Sequence, residues 1–170
     1  MSDRPDAARR SVLTGAFLTK QGRQKFRPLG PLPPWHKKIE HACSTCLQDC
    51  VSACPQSIIK LHPDDHQLEG IPYLDFSRAG CTFCGECVKA CAQLTEQEDS
   101  KPDIGMVKIN AGTCLALNGV LCMSCLRPCE PHALSLNKRR QPVVNEDTCT
   151  GCGACISVCP VNALYIEISA

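Results

Sequence analysis

The chain has 170 residues, of which 16 are cysteine, 13 proline and 11 glycine, while aromatic residues make up only 4 %. So few bulky side chains exclude an ordinary apolar core and point to cross-links, either disulfide or metal, as what holds the fold together. The formal charge of +1, with cysteines counted neutral, gives no reason to expect nucleic acid as a partner, and no stretch approaches the roughly 20 apolar residues of a membrane span.

In chain order, Ser11 to Leu18 is only weakly apolar and is followed at once by Lys20, Arg23, Lys25 and Arg27. That is not the apolar region of a secretory signal, and the Arg9-Arg10 pair lacks the apolar region a twin-arginine signal needs. The expected location is therefore the cytoplasm, where dense cysteine means metal or redox chemistry rather than disulfides. Residues 1–40 hold no cysteine and read as a basic, proline-rich leader. Its run from Arg27 through Pro28, Pro31, Pro33 and Pro34 to Trp35 favours polyproline II. Such a run reads as a solvated tail or as a docking arm anchored by Trp35.

The remainder is an internal repeat of four cysteine blocks: Cys43, Cys46, Cys50, Cys54; Cys81, Cys84, Cys87, Cys91; Cys114, Cys122, Cys125, Cys129; and Cys149, Cys152, Cys155, Cys159. Strand-like runs lie between them, at 57–61 and 71–76 around a polar loop, at 106–109, at 133–136 and 142–145 around the turn 137–141, and at 163–168. The pattern predicts an α+β chain of two tandem ferredoxin-like modules, each binding two clusters and poor in regular secondary structure, at 41–103 and 104–170. The second module is the more regular.

Blocks two and four follow C-x2-C-x2-C-x3-C, and block four ends in Cys-Pro, the bacterial ferredoxin spacing. Three cysteines two residues apart wrap one [4Fe-4S] cubane, and Gly85, Gly151 and Gly153 let the backbone approach it. The fourth cysteine lies one helical turn beyond the third, as in a short helix Cys155–Cys159, and in this pattern serves the other cluster of its pair. The expected sets are Cys43, Cys46, Cys50 and Cys91; Cys81, Cys84, Cys87 and Cys54; Cys114, Cys122, Cys125 and Cys159; and Cys149, Cys152, Cys155 and Cys129. Pairing block one with four and two with three uses the same cysteines and stays open at this stage. Four clusters would bring the net charge to about −7.

Two blocks depart from the spacing. Block one has an extra residue before Cys50 and no glycine, so its loop must bulge or its cluster differ. Block three opens with seven residues between Cys114 and Cys122, including the turn signal Asn118-Gly119; that excursion shields a cluster, presents it to a partner, or is a plain surface turn. The alternatives to clusters are structural zinc, which favours separated cysteine pairs, and disulfides. His36, His41, His62, His66 and His132 show no ligand spacing and read as solvated or locally packed. Arg127 either tunes a cluster by its charge or is an exposed loop cation. With no nucleophile-and-base set, phosphate loop or flavin signature, independent catalysis is not expected.

The leader Ala8-Arg9-Arg10-Ser11-Val12-Leu13-Thr14-Gly15, the order of the blocks, the stretched third block from Cys114-Leu115-Ala116 to Cys129-Glu130-Pro131, and the closing Cys149 to Cys155 together resemble the NapF family. These are ferredoxin-type accessory proteins of the periplasmic nitrate reductase system. Block one departs from the family pattern by its extra residue. The resemblance implies a cytoplasmic protein that meets the catalytic subunit of the nitrate reductase before export and helps its iron–sulfur maturation, or supplies electrons. A general polyferredoxin carrier for another oxidoreductase, and a zinc-stabilised interaction module, are the rival readings.

Overall fold

The computed structural model describes residues 28–35, 43, 48–91, 102 and 104–167. Regular structure is sparse. In chain order come helix α1 (Asp49–Ala53), strands β1 (Ile59–Leu61) and β2 (Pro72–Leu74), helix α2 (Glu86–Lys89), strand β3 (Met106–Ile109), a 3-10 turn (Ser124–Leu126), strands β4 (Leu134–Leu136) and β5 (Pro142–Val144), helix α3 (Ala154–Ser157) and strand β6 (Leu164–Glu167). The strands form three separate antiparallel pairs, β1 with β2, β4 with β5 and β3 with β6. Among the described residues no helix is long and apolar enough to cross a membrane.

The hairpin β4–β5 forms because Leu134 and Pro142 face inward while Asn137 closes the turn between the strands. The Asn137 side-chain oxygen accepts from the Arg139 and Gln141 amides at 2.9 and 3.0 Å, an Asx turn that mimics a backbone turn. The helices span four or five residues, too short to persist without packing. Helix α3 ends before Cys159, short of the expected Cys155–Cys159 span. The Cys159 amide donates to the Ile156 carbonyl at 3.1 Å, three residues back, which tightens the last turn.

One turn recurs after the last cysteine of blocks one, three and four. Ser57, His132 and Asn162, each three residues past Cys54, Cys129 and Cys159, are left-handed, with φ of 53°, 51° and 49°. Each donates its amide to that cysteine's carbonyl, at 3.0, 3.0 and 3.4 Å. The turn reverses the chain so that the next residue, Ile58, Ala133 or Ala163, is buried and a strand follows directly.

Cysteines are part of the cores rather than decorations on them. Cys50 and Cys87 are buried with Ile58, Ile59, Leu74, Phe76 and Val88, while Cys129 and Cys155 are buried with Val107, Leu134 and Leu164. The first of these cores also takes in Ile104, with Ile156 and Ile166 packed against it, so side chains from beyond residue 103 complete it.

Residues 28–35 are neither a solvated tail nor a free arm. Pro31 accepts the Leu74 amide at 2.8 Å, which gives edge strand β2 a partner, and Pro33 and Pro34 are fully buried. Proline lacks a donor but keeps its carbonyl, so it serves on a sheet edge. The Leu29 amide donates to His62 Nε2 at 3.1 Å, and His62 Nδ1 bonds the Ile71 carbonyl at 2.7 Å. Residues 1–27 and 36–42 of the expected leader lie outside the described residues.

Candidate metal centres

The turns and one-turn helices bring the cysteines around three cavities. The first is lined by Cys54, Cys81, Cys84 and Cys87, with Trp35 and Ile58 in its wall. The second is lined by Cys114, Cys122, Cys125 and Cys159, with Leu115, Ala116 and Ala163. The third is lined by Cys129, Cys149, Cys152 and Cys155, with Val107 and Ala133. In each, one block supplies three cysteines and another the fourth. The combinations join block one with two and block three with four.

Of the remaining expected set, Cys43 and Cys50 are buried, and Cys91 packs against the core that contains Cys50; Cys46 lies outside the described residues. The residues of block one between Cys43 and Gln48 lie outside the described residues. Two residues before the third cysteine, Gly85 and Gly153 start α2 and α3 in the left-handed region at φ 77° and 74°, and Gln48 starts α1 in the same region at φ 60°. The bend that glycine makes freely elsewhere is thus made here by a residue with a Cβ.

The stretched segment of block three is pinned by Asn118, whose side-chain amide donates to the carbonyls of Ala111 and Cys114 at 2.9 and 2.8 Å. It folds Leu115 and Ala116 onto the second cavity and leaves Val120 and Leu121 exposed. Among the described residues the amides that donate to cysteine sulfur belong to Phe83, 3.4 Å from Cys81 Sγ, and Ala163, 3.2 Å from Cys159 Sγ.

The donor set fits iron–sulfur clusters. Burial, together with the neighbouring cysteines, pushes the Cys81 and Cys125 thiols up to about 11 and the Cys87 and Cys155 thiols up to about 12. Four crowded thiols in an apolar cavity do not all ionise unaided, so a set of thiolates here requires a bound positive charge. A single zinc would draw its four sulfurs to within about 4 Å of one another. Among the described residues no group of three or more Cys, His, Asp or Glu is set for one ion, while four cysteines line each of the three apolar cavities.

Of the histidines, His62 and His66 are buried with ring centroids 4.6 Å apart, His132 is exposed, and His36 and His41 lie outside the described residues. Arg127 is exposed. The left-handed positions Ser57, His132 and Asn162 and the cavity-lining residues after them were missed in the sequence. Their constant offset from the last cysteine of each block was the available signal.

Thiol-ringed cavities shared between blocks, on a frame of short paired strands, define an iron–sulfur protein of the ferredoxin type. Family models agree, a 4Fe-4S dicluster domain matching residues 42–95 and a 4Fe-4S binding domain residues 142–165. The chain is 32% identical to the ferredoxin-type protein NapF of Escherichia coli (strain K12), over 95% of each chain. It is 36% identical to NapF of Haemophilus influenzae over 94% of this chain and 93% of that one, and 32% identical to the ferredoxin-type protein NapG of Escherichia coli (strain K12) over 85% and 70%. The chain belongs to the NapF family of ferredoxin-type proteins.

Proposed function

We propose that the protein holds four [4Fe-4S] clusters in two tandem α+β modules, 41–103 and 104–170, and acts in the cytoplasm on the catalytic subunit of the periplasmic nitrate reductase before its export. The ligands would be Cys43, Cys46, Cys50 and Cys91; Cys54, Cys81, Cys84 and Cys87; Cys114, Cys122, Cys125 and Cys159; and Cys129, Cys149, Cys152 and Cys155. The observation that carries the reading is the ring of four cysteines, drawn from two blocks, around each described cavity.

When bound, such clusters supply one-electron chemistry. The chain's own part is to wall them with apolar side chains and fasten them from two directions. A cluster that ties two blocks together is a poor gift to another protein, because its release undoes the fold. The geometry therefore favours delivery of electrons to the maturing subunit over donation of a cluster, and a carrier over a catalyst. A direct test is to produce the catalytic subunit with the intact protein, without it, and with a Cys87→Ser variant, and to assay each subunit after purification. Full activity only in the first case supports the reading, whereas full activity of subunit made without the protein contradicts it.

A further inference from the structure

The two halves meet at one cysteine of each. The Cys81 amide donates to the Cys152 carbonyl at 2.7 Å, and these residues line different cavities, the first and the third. Their neighbours hold the approach short. A Cβ at Gly80 would stand 2.6 Å from the Ala154 nitrogen, 2.7 Å from its Cα and 2.8 Å from its Cβ. Only a residue without a side chain lets the chain entering Cys81 lie against the start of α3. A groove runs beside this contact, bordered by Thr82 and Phe83 on one side and Pro128 and Thr150 on the other.

We propose that the Gly80-Cys81 and Cys152-Ala154 junction is the electronic contact between the halves. Cys81 main chain, one hydrogen bond and Cys152 main chain then link two cluster sites, placing the Cys43 and Cys114 sets at opposite ends of a series and these two sets in its middle. The step is the transfer of one electron: the site at Cys81 is oxidised by one unit, the site at Cys152 is reduced by one, or the reverse, and no proton or bond is exchanged. The electron enters from an external reductant, dithionite in the test below. Gly80 and Ala154 are positioning residues, acting through the cysteines beside them. The inference rests on the cluster reading above.

The test uses the full-length, cluster-loaded protein and its Gly80→Val variant, each checked for iron content and visible absorbance, then reduced with dithionite and examined by low-temperature EPR. The unaltered protein is expected to show spin–spin broadening and fast relaxation that join the two halves. In the loaded variant that inter-half interaction is lost, while interaction within each half persists. Ala154→Val, which presses on the contact from the opposite side, makes the same comparison where Gly80→Val fails to load. Identical spectra and relaxation in a fully loaded variant overturn the junction, as does the absence of any inter-half interaction in the unaltered protein. Unaltered protein without iron overturns the cluster reading itself, an outcome visible in composition before any spectrum is taken.

Discussion

The second half, residues 104–167, is built from its own parts, whereas the described first half, residues 28–91, is completed by segments from outside its repeat. In the second half the terminal strands β3 and β6 pair along four residues each, and the hairpin β4–β5 lies between them in the chain. The first half has the hairpin β1–β2 alone among the described residues. It finishes its sheet edge with Pro31, the wall of its cavity with Trp35, and its core with Ile104, Ile156 and Ile166. It also makes the bend into α1 with Gln48 rather than glycine. One ligand pattern therefore tolerates quite different surroundings, because the cavity needs a crossed set of cysteines and an apolar wall from any available segment.

Removing the metal is expected to act most strongly on that comparison. Chelation of iron under anaerobic conditions should abolish cooperative unfolding in both halves, because the buried thiols lose the charge that gathers them. Far-UV circular dichroism against denaturant checks this, and a sharp transition surviving in the apo protein would mean that the more regular second half stands without clusters.

Glycine substitutions sharpen the comparison next. Gly153→Ala sets a Cβ into the ring of Phe76, which it would meet at 2.6 Å from Cε1, and leaves it at φ 74°. The expected loss is roughly 2–4 kcal/mol from overpacking and the left-handed backbone together. Gly85→Ala has the same kind of φ with nothing within 4 Å, so only the backbone contributes, about 1 kcal/mol. Denaturant midpoints followed by bleaching of the visible absorbance should rank the two variants in that order; equal losses would mean that the Phe76 contact is immaterial.

Gln48→Gly runs the comparison backwards and is expected to raise the midpoint by up to about 1 kcal/mol, relieving the left-handed Gln48. A lowered midpoint would show that the Gln48 side chain contributes more than its backbone strain costs.

The smallest expected effect is the pH response of the proline run. Burial, with a further contribution from His66, holds the His62 imidazole below its usual value of 6.5 against the opposing bond to Ile71. A base with a lowered folded pKa stabilises the fold fully above its unfolded pKa. That contribution falls away as the pH drops through 6.5 toward the folded value, because a protonated Nε2 no longer accepts from Leu29. Roughly 0.5 kcal/mol is at stake. His62→Phe should remove the difference in midpoint between pH 7.5 and 5.5 that belongs to this contact, leaving only the acid sensitivity common to both proteins.

The sequence made the cysteine blocks and most strands legible for definite reasons. Thiol spacing follows from wrapping a small rigid body, and 106–109, 134–136, 142–144 and 164–167 alternate between turn signals. The left-handed residues after the blocks were not legible because Ser57, His132 and Asn162 share a backbone angle and no side-chain chemistry. The berth of the proline run was equally hidden, since a polyproline segment announces its own shape but not the edge it covers. Gly80 gave no signal at all; its need arises only from Ala154, 74 positions along the sequence.

The most direct test of the central claim is the iron and acid-labile sulfide content of anaerobically prepared protein. Four cubanes predict about sixteen of each per chain. Stoichiometric zinc with neither iron nor sulfide, or thiols joined to one another in a metal-free folded chain, would contradict it.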